Sequence, residues 1–501
     1  MNLRKVTVLA IMFLGFSAFA QKTFLITNDD PFRRPNSVST YAIQSDGSLS
    51  RVGQFPTGGK GGGGSGDPSG QGIGFIATTR IVVTPDNKFV FAANAPDNTV
   101  SAFSVDAGTG ELTLVAGSPF ATHRNACQGM GLAVSPDAHF LFALNTCSHD
   151  ITSFKIGSDG SLAIADPAIS TGGQGIDIRV TGDGKFVAVS LVGFNSGVAM
   201  FAIGTDGTLS TVAGSPFVGS PGFAQALDTN CAGDRLFTLN DGDPSSVDVF
   251  KIAADGSLAT QSSVVIPLPT GANGEVSMYL SPNEKVLFVG DVSSFVSSFS
   301  VASDSSLTPV SSFVPSIGTF FLGHVVADPS GKFLYGSGLF NNMAGYAVDG
   351  SGALSLLPAS PFSTPGFNAI GSFAAYPARS CSLSVNIKLR PQDKGDGNAI
   401  VTIGSRSGEK LEVAILSSPG FDAATQVDRT SLTFGHTGLE SSLVSCNSNP
   451  EAAHTDGLAG LVCSFDIRQA GLLPSDVQAV LRGKTVTGTP LVGTAPVRVV
   501  P

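Results

Sequence analysis

Apolar and polar positions alternate in short runs along most of the chain, and the runs recur in a fixed order. Ile81-Val82-Val83 ends in Thr84-Pro85-Asp86. A second apolar run follows from Phe89, a third from Val100, and then a turn and a leucine open a fourth. The same phrase returns over 132–166. The leucine after the last turn marks the period, at Leu49, Leu112, Leu162, Leu209, Leu258, Leu307 and Leu354, with spacings of 63, 50, 47, 49, 49 and 47. The long first interval holds a Gly-rich insert, Gly58 to Gly74. Each unit predicts four short strands, and Asp159-Gly160, Asp206-Gly207 and Asp255-Gly256 are hairpin turns. Four strands in about 50 residues is the size of a propeller blade. A lone unit leaves both faces bare, whereas units arranged radially cover one another.

The ends of the array predict how it closes. Thr23-Phe24-Leu25-Ile26-Thr27-Asn28 matches a second strand of the unit, not a first. The missing first strand reappears at Gly371 to Pro377. A late strand therefore completes the first blade and removes the open sheet edges. The expected fold class is all-β: a seven-bladed β-propeller over 21–378, closed by a C-terminal strand. After Arg379 the phrase stops. Short alternating runs such as Leu383–Ile387, Leu411–Leu416, Gly460–Phe465 and Val497–Val500 predict a small β-sandwich over 379–501.

Composition narrows the function. The chain has 501 residues, with 28 Lys and Arg against 38 Asp and Glu, a net charge of −10. An acidic balance argues against a nucleic-acid partner. The absence of Trp argues against the Trp-Asp type of blade. Arg4 and Lys5, an apolar run from Val6 to Phe16 and Ala18-Phe19-Ala20 read as a signal peptide over 1–20, so the expected mature chain starts at Gln21 and is secreted or periplasmic. No later run is long enough to span a bilayer. Among six cysteines, Cys127 with Cys147 and Cys446 with Cys463 are expected bridges, leaving Cys231 and Cys381 as free buried thiols. No metal site and no cofactor are expected. The histidines are scattered and no CxxC spacing occurs. Gly58 to Gly66 lacks the order of a phosphate-binding loop and reads as a flexible loop.

The phrases TPDNKFVFAAN, SPDAHFLFALN and DPSGKFLYGSG, with ITNDD…NSVSTYAI, resemble the secreted seven-bladed propellers of the lactonase family, which are 6-phosphogluconolactonase-like and overlap YVTN-type repeats. The resemblance covers roughly 22–378 and implies lactone chemistry at one channel mouth, using His, Arg and acidic residues. Five residues before each turn Pro, or its equivalent, the sequence reads Arg80, Gly131, Asp177, about Leu227–Asp228, Ser277, His324 and Ser372. Arg80, Asp177 and His324 are the candidate acid/base and oxyanion group; the alternative makes them loop-edge residues. His324 matches a histidine that often precedes such a strand in the family. Blade 4 departs from the family pattern, with Asp177 near the expected His and Ser190 in place of an Asp. The ends of the second strands give a weaker ligand ring, in which Asn94, Asn145 and Asn240 stand beside a turn-forming alternative. The segments VNIKLRP and LEVAILSSPGFDAATQVDRTSLTFGHTG are similar to a C-terminal β-module of secreted bacterial proteins. Its Asp-rich loop is reduced here to His454–Gly460, too poor in oxygens for calcium.

Two functions remain. One is a binding or interaction scaffold, expected to be a monomer, whose partner is a small molecule or protein at a propeller face. The other is a lactone-acting hydrolase.

Overall fold

The computed structural model describes residues 22–31, 33–62, 79–127, 129–193, 196–266, 275–291, 295–315, 324–337, 342–364, 372–379, 381–391, 399–402, 409–418, 421–438, 440–447, 451–452, 459–486 and 490–500. The signal-peptide segment, most of the Gly-rich insert and most of the 454–460 loop lie outside them. Among the described residues no helix is long and apolar enough to cross a membrane.

Seven antiparallel sheets of four or five strands follow one another along 24–376. The innermost strands of blades 2 to 7 are Ile81–Val83, Met130–Val134, Gln174–Val180, Phe223–Thr229, Glu275–Leu280 and Val325–Ala327. The period-marking leucines open the outermost strands, from Leu49–Lys60 to Leu354–Leu356. Blade 1 is closed as expected. Phe24–Asn28 pairs on one side with Pro35–Ile43 and on the other with Ser372–Tyr376, in register from Phe24↔Tyr376 to Asn28↔Ser372.

Hydrophobic clusters bridge neighbouring blades. Phe91 of blade 2 packs with Leu132 and Phe154 of blade 3, and Leu144 of blade 3 packs with Ile178 and Val189 of blade 4. The seam is packed the same way, with Leu25 and Tyr41 of blade 1 against Tyr335 and Met343 of blade 7. Each such side chain contributes roughly 1.5–3 kcal/mol when fully buried. The Asp-Gly turns add an interlock. Gly160 has φ +83°, and a Cβ there would lie 2.5 Å from the ring of Phe89 in the preceding blade. Gly47 of blade 1 stands in the same relation to Phe333 of blade 7. Glycine is required both for its left-handed backbone and for the ring lying on it. The GSPF and ASPF phrases also have a structural task. Where the short edge strand ends, Ser118, Ser215 and Ser360 accept the N–H groups of Ala102, Met200 and Gly345 through their Oγ atoms.

The chain leaves the ring as a strap. Just past Tyr376, the N–H of Ala378 donates to Asn87 Oδ1 in the first turn of blade 2, at 2.7 Å. Arg379 then reaches blades 5 and 6, donating to Thr229 O at 3.0 Å and to Glu284 Oε1 at 2.7 Å. Cys381 is bonded to Cys231 of blade 5. The expectation of free thiols at these two positions is therefore corrected. They are 150 residues apart in sequence and adjacent only because the strap crosses the end of the channel. The other two bridges, Cys127–Cys147 and Cys446–Cys463, form as expected. The second joins residues directly opposite on paired strands.

Beyond the strap, Pro490–Val500, Gln478–Thr485 and Val427–Gly435 form one sheet, and Lys410–Ile415, Ala459–Asp466 and Leu443–Cys446 another, each with short added strands. The two share one core, with Val413, Ile415, Phe434, Phe465, Leu481 and Val497 buried together. Ser382, Gly483 and Leu491 face Pro136 and Gly184 of the ring across a cavity of about 440 Å³.

Because a bridge stabilises mainly by restricting the unfolded chain, the long loop matters most. Replacing Cys231 and Cys381 together by Ala is expected to cost about 5 kcal/mol, against about 3 kcal/mol for the bridges spanning 20 and 17 residues. Denaturant unfolding of the three double variants checks the order.

Candidate active site

The repeat places one residue of each inner strand two positions before the turn-opening residue. In blades 4, 5 and 6 these are Arg179, Asp228 and Tyr279. In the others they are Val82, Ala133, Val326 and Ala374. All seven line one cavity of about 220 Å³ at the centre of the ring. Ile81, Leu132 and Phe373 add apolar wall, while Thr79, His324 and Arg379 complete the polar part.

His324 is 5% exposed. Its backbone N–H donates to Ser337 Oγ at 2.9 Å, and the N–H of Phe373 donates to the ring Nδ1 at 3.3 Å. The ring also stands edge-on to Phe373, with centroids 5.7 Å apart. An accepting Nδ1 fixes the neutral ring as the Nε2–H tautomer. Burial, then the charges of Arg179 and Arg80, hold its pKa down to about 3. At ordinary pH this histidine is therefore a neutral donor, not a base. Burial also pushes the Tyr279 hydroxyl up to about 12, so it too remains a donor.

Arg179 crosses from blade 4 toward blade 2. Its Nη1 donates to Thr79 Oγ1, to Asp177 Oδ1 at 2.8 Å and to Ile178 O at 2.9 Å. Its Nε and Nη2 donate to no described residue. Asp228 accepts from the N–H of Thr229 at 2.8 Å, the N–H of Leu280 at 2.7 Å and Arg379 Nη1 at 3.4 Å. Burial opposes the charge on Arg379, but Asp228 and Glu284 outweigh it and raise its pKa.

Of the three candidates from the sequence, His324 alone lines this cavity. Asp177 is fully buried one residue layer behind the wall, holding Arg179 and accepting the N–H of Leu227 at 3.0 Å. Arg80 is buried against Asp30 in an ion pair at the seam of blades 1 and 2. The ligand ring is not brought to the cavity either. Asn94 is buried among Asn36, Thr57, Thr99 and Ser101. Asn145 donates to Asp150 and Thr152, and Asn240 to Ser246. Arg179, Tyr279 and Arg379 were missed, and Asp228 was reached only as one end of an approximate position and not taken as a candidate. Counting back two residues from each turn, rather than five from its Pro, would have found Arg179, Asp228 and Tyr279.

Residues 34–174 match the family described as lactonase, 7-bladed beta-propeller. Over that stretch the ring is similar to the lactonase propellers, and its fold is a seven-bladed β-propeller. A candidate 6-phosphogluconolactonase of Bacteroides fragilis is 21% identical, with 72% of this chain and 99% of that chain covered at a TM-score of 0.53. A periplasmic gluconolactonase of Pseudomonas aeruginosa is 16% identical, with 71% and 98% covered at a TM-score of 0.56. No curated protein matches. At these identities the likeness of the ring to solved structures carries the fold and not the reaction.

The buried histidine gives a pH test. The unfolded ring titrates near 6.5, and the folded one near 3. Between these values the unfolded chain takes up a proton that the folded protein refuses. Its contribution to stability is therefore complete above pH 6.5 and lost as the pH falls toward 3. His324→Gln is expected to flatten the fall in stability between pH 6.5 and 4, read as unfolding midpoint against pH beside the wild type.

Proposed function

We propose that this chain is a lactone-acting hydrolase working in the central cavity of the propeller. The observation that carries the reading is His324: nearly fully buried, locked as an Nε2–H donor, and with no described partner for that nitrogen. Tyr279 and the free edge of Arg179 are further donors on the same cavity. Together they suit a carbonyl oxygen that gains negative charge during attack. Asp228 is the carboxylate of the cavity wall. Three donors already bind it, and it retains room to orient a water. Water adds to the lactone carbonyl, the ring C–O bond breaks, and the proton from water passes to the leaving alkoxide to give the hydroxy acid. Asp177 and Ser337 act as positioning residues, through Arg179 and His324 respectively.

The engagement of Asp228 favours one alternative, a ring that binds a small carbonyl compound without turning it over. In both readings residues 21–378 form the functional unit and 379–501 an accessory module. Three disulfides support an oxidising, extracytoplasmic setting for it.

The test is hydrolysis of a panel of sugar and aliphatic lactones by the full chain. Wild-type turnover is expected, with kcat/KM lowered on the order of 10²-fold by His324→Ala. No turnover across the panel, or an unchanged rate in the variant, overturns the reading.

A further inference from the structure

Every guanidinium in or beside the cavity carries its own carboxylate. Arg179 is paired with Asp177 at 2.8 Å, and Arg379 with Glu284 at 2.7 Å and Asp228 at 3.4 Å. Arg80, behind the wall, is paired with Asp30. Three cations against four carboxylates leave a net charge of 3 − 4 = −1 among the described residues. His324 adds no charge. The remaining N–H edges and the Tyr279 hydroxyl can still donate, but they offer hydrogen bonds without net positive charge. An anion entering this space would lose its hydration and find each guanidinium already paired with a carboxylate. The walls themselves are aliphatic and aromatic, formed by Ile81, Val82, Leu132, Val326 and Phe373. The volume of about 220 Å³ falls below the roughly 300–1,000 Å³ usual for ligand pockets.

We infer that the cavity selects an uncharged, compact lactone with a short aliphatic body, and rejects lactones that carry a phosphate or carboxylate. The inference rests on the hydrolase reading for its chemistry, but the selection it describes concerns binding and stands on the charge pairing. Asp177 and Glu284 are its determinants. Each cancels a guanidinium that would otherwise draw an anion into the ring.

The test has two arms on the full, disulfide-bonded chain. The first compares kcat/KM for δ-valerolactone and γ-caprolactone with that for 6-phosphoglucono-δ-lactone. A preference of at least tenfold for the uncharged lactones is expected. The second measures calorimetric binding of δ-valerolactam, an uncharged analogue that resists hydrolysis, against 6-phosphogluconate. Tighter binding of the lactam without turnover would sustain the ligand class and sink the hydrolase reading. Equal or better use of the phosphorylated lactone, or tighter binding of 6-phosphogluconate, overturns the inference and leaves the hydrolase reading intact. Binding and turnover of no probe overturns both. Asp177→Asn retains an accepting oxygen for Leu227 and removes the charge that cancels Arg179. It is expected to shift selectivity toward the phosphorylated probe at least threefold. Glu284→Gln makes the same change at Arg379, on the half-buried side of the ring, and serves if the first variant does not fold. Unchanged selectivity in a folded variant removes charge pairing as the cause.

Discussion

The whole ring depends on one strand being held from both sides. Phe24–Asn28 can hydrogen-bond to its neighbour in sequence, Pro35–Ile43, as any hairpin does. Its other edge is satisfied only by Ser372–Tyr376, from the far end of the repeat array. Until that pairing forms, blade 1 has an open edge and blade 7 has only blade 6 as a packed neighbour. Once it forms, Tyr41 and Tyr335 are buried in one cluster and every blade has two partners. A repeat array of this kind gains most of its stability from nearest-neighbour interfaces, so closing the circle adds one interface at the cost of no new unit.

The same geometry makes the central cavity. Inner strands converge, and their twist turns one residue per blade toward the axis. Four of those seven are small or aliphatic, and three adjacent ones are polar. Polar groups in such a place must be paired or accessible to a ligand. Arg179 meets both conditions at once, bonded through Nη1 and open at its other nitrogens. His324 does the same, with Nδ1 occupied by the backbone of the closing strand. The strand that seals the ring therefore also sets which nitrogen of His324 carries the proton.

Much of this was legible in the sequence because it repeats. The leucine period, the Asp-Gly turns and the truncated first unit each predict the ring, and they agree. His324 was legible because it sits at a repeat position that otherwise holds small or polar residues. Arg80 and Asp177 were recognisable as chemistry-bearing side chains. Which neighbour would claim them was not, because Asp30 comes from a loop and Arg179 from two residues further along the strand of Asp177. Arg179 and Tyr279 escaped because a shift of two residues along a strand changes the depth in the channel without changing the face. The Cys231–Cys381 bridge escaped for a different reason. Cysteine connectivity depends on curvature accumulated over several blades, and spacing alone does not carry it.

The strap also decides how force would travel through the molecule. The C-terminal module joins the ring only past Cys381, and Cys381 is covalently tied to Cys231 in blade 5. Tension on the module therefore runs through a sulfur–sulfur bond into the body of a finished blade. The seam strand, Ser372–Tyr376, lies upstream of that anchor and bears no load. A ring fastened by hydrogen bonds alone would unzip at its seam when pulled by its tail; this one is pulled from its side.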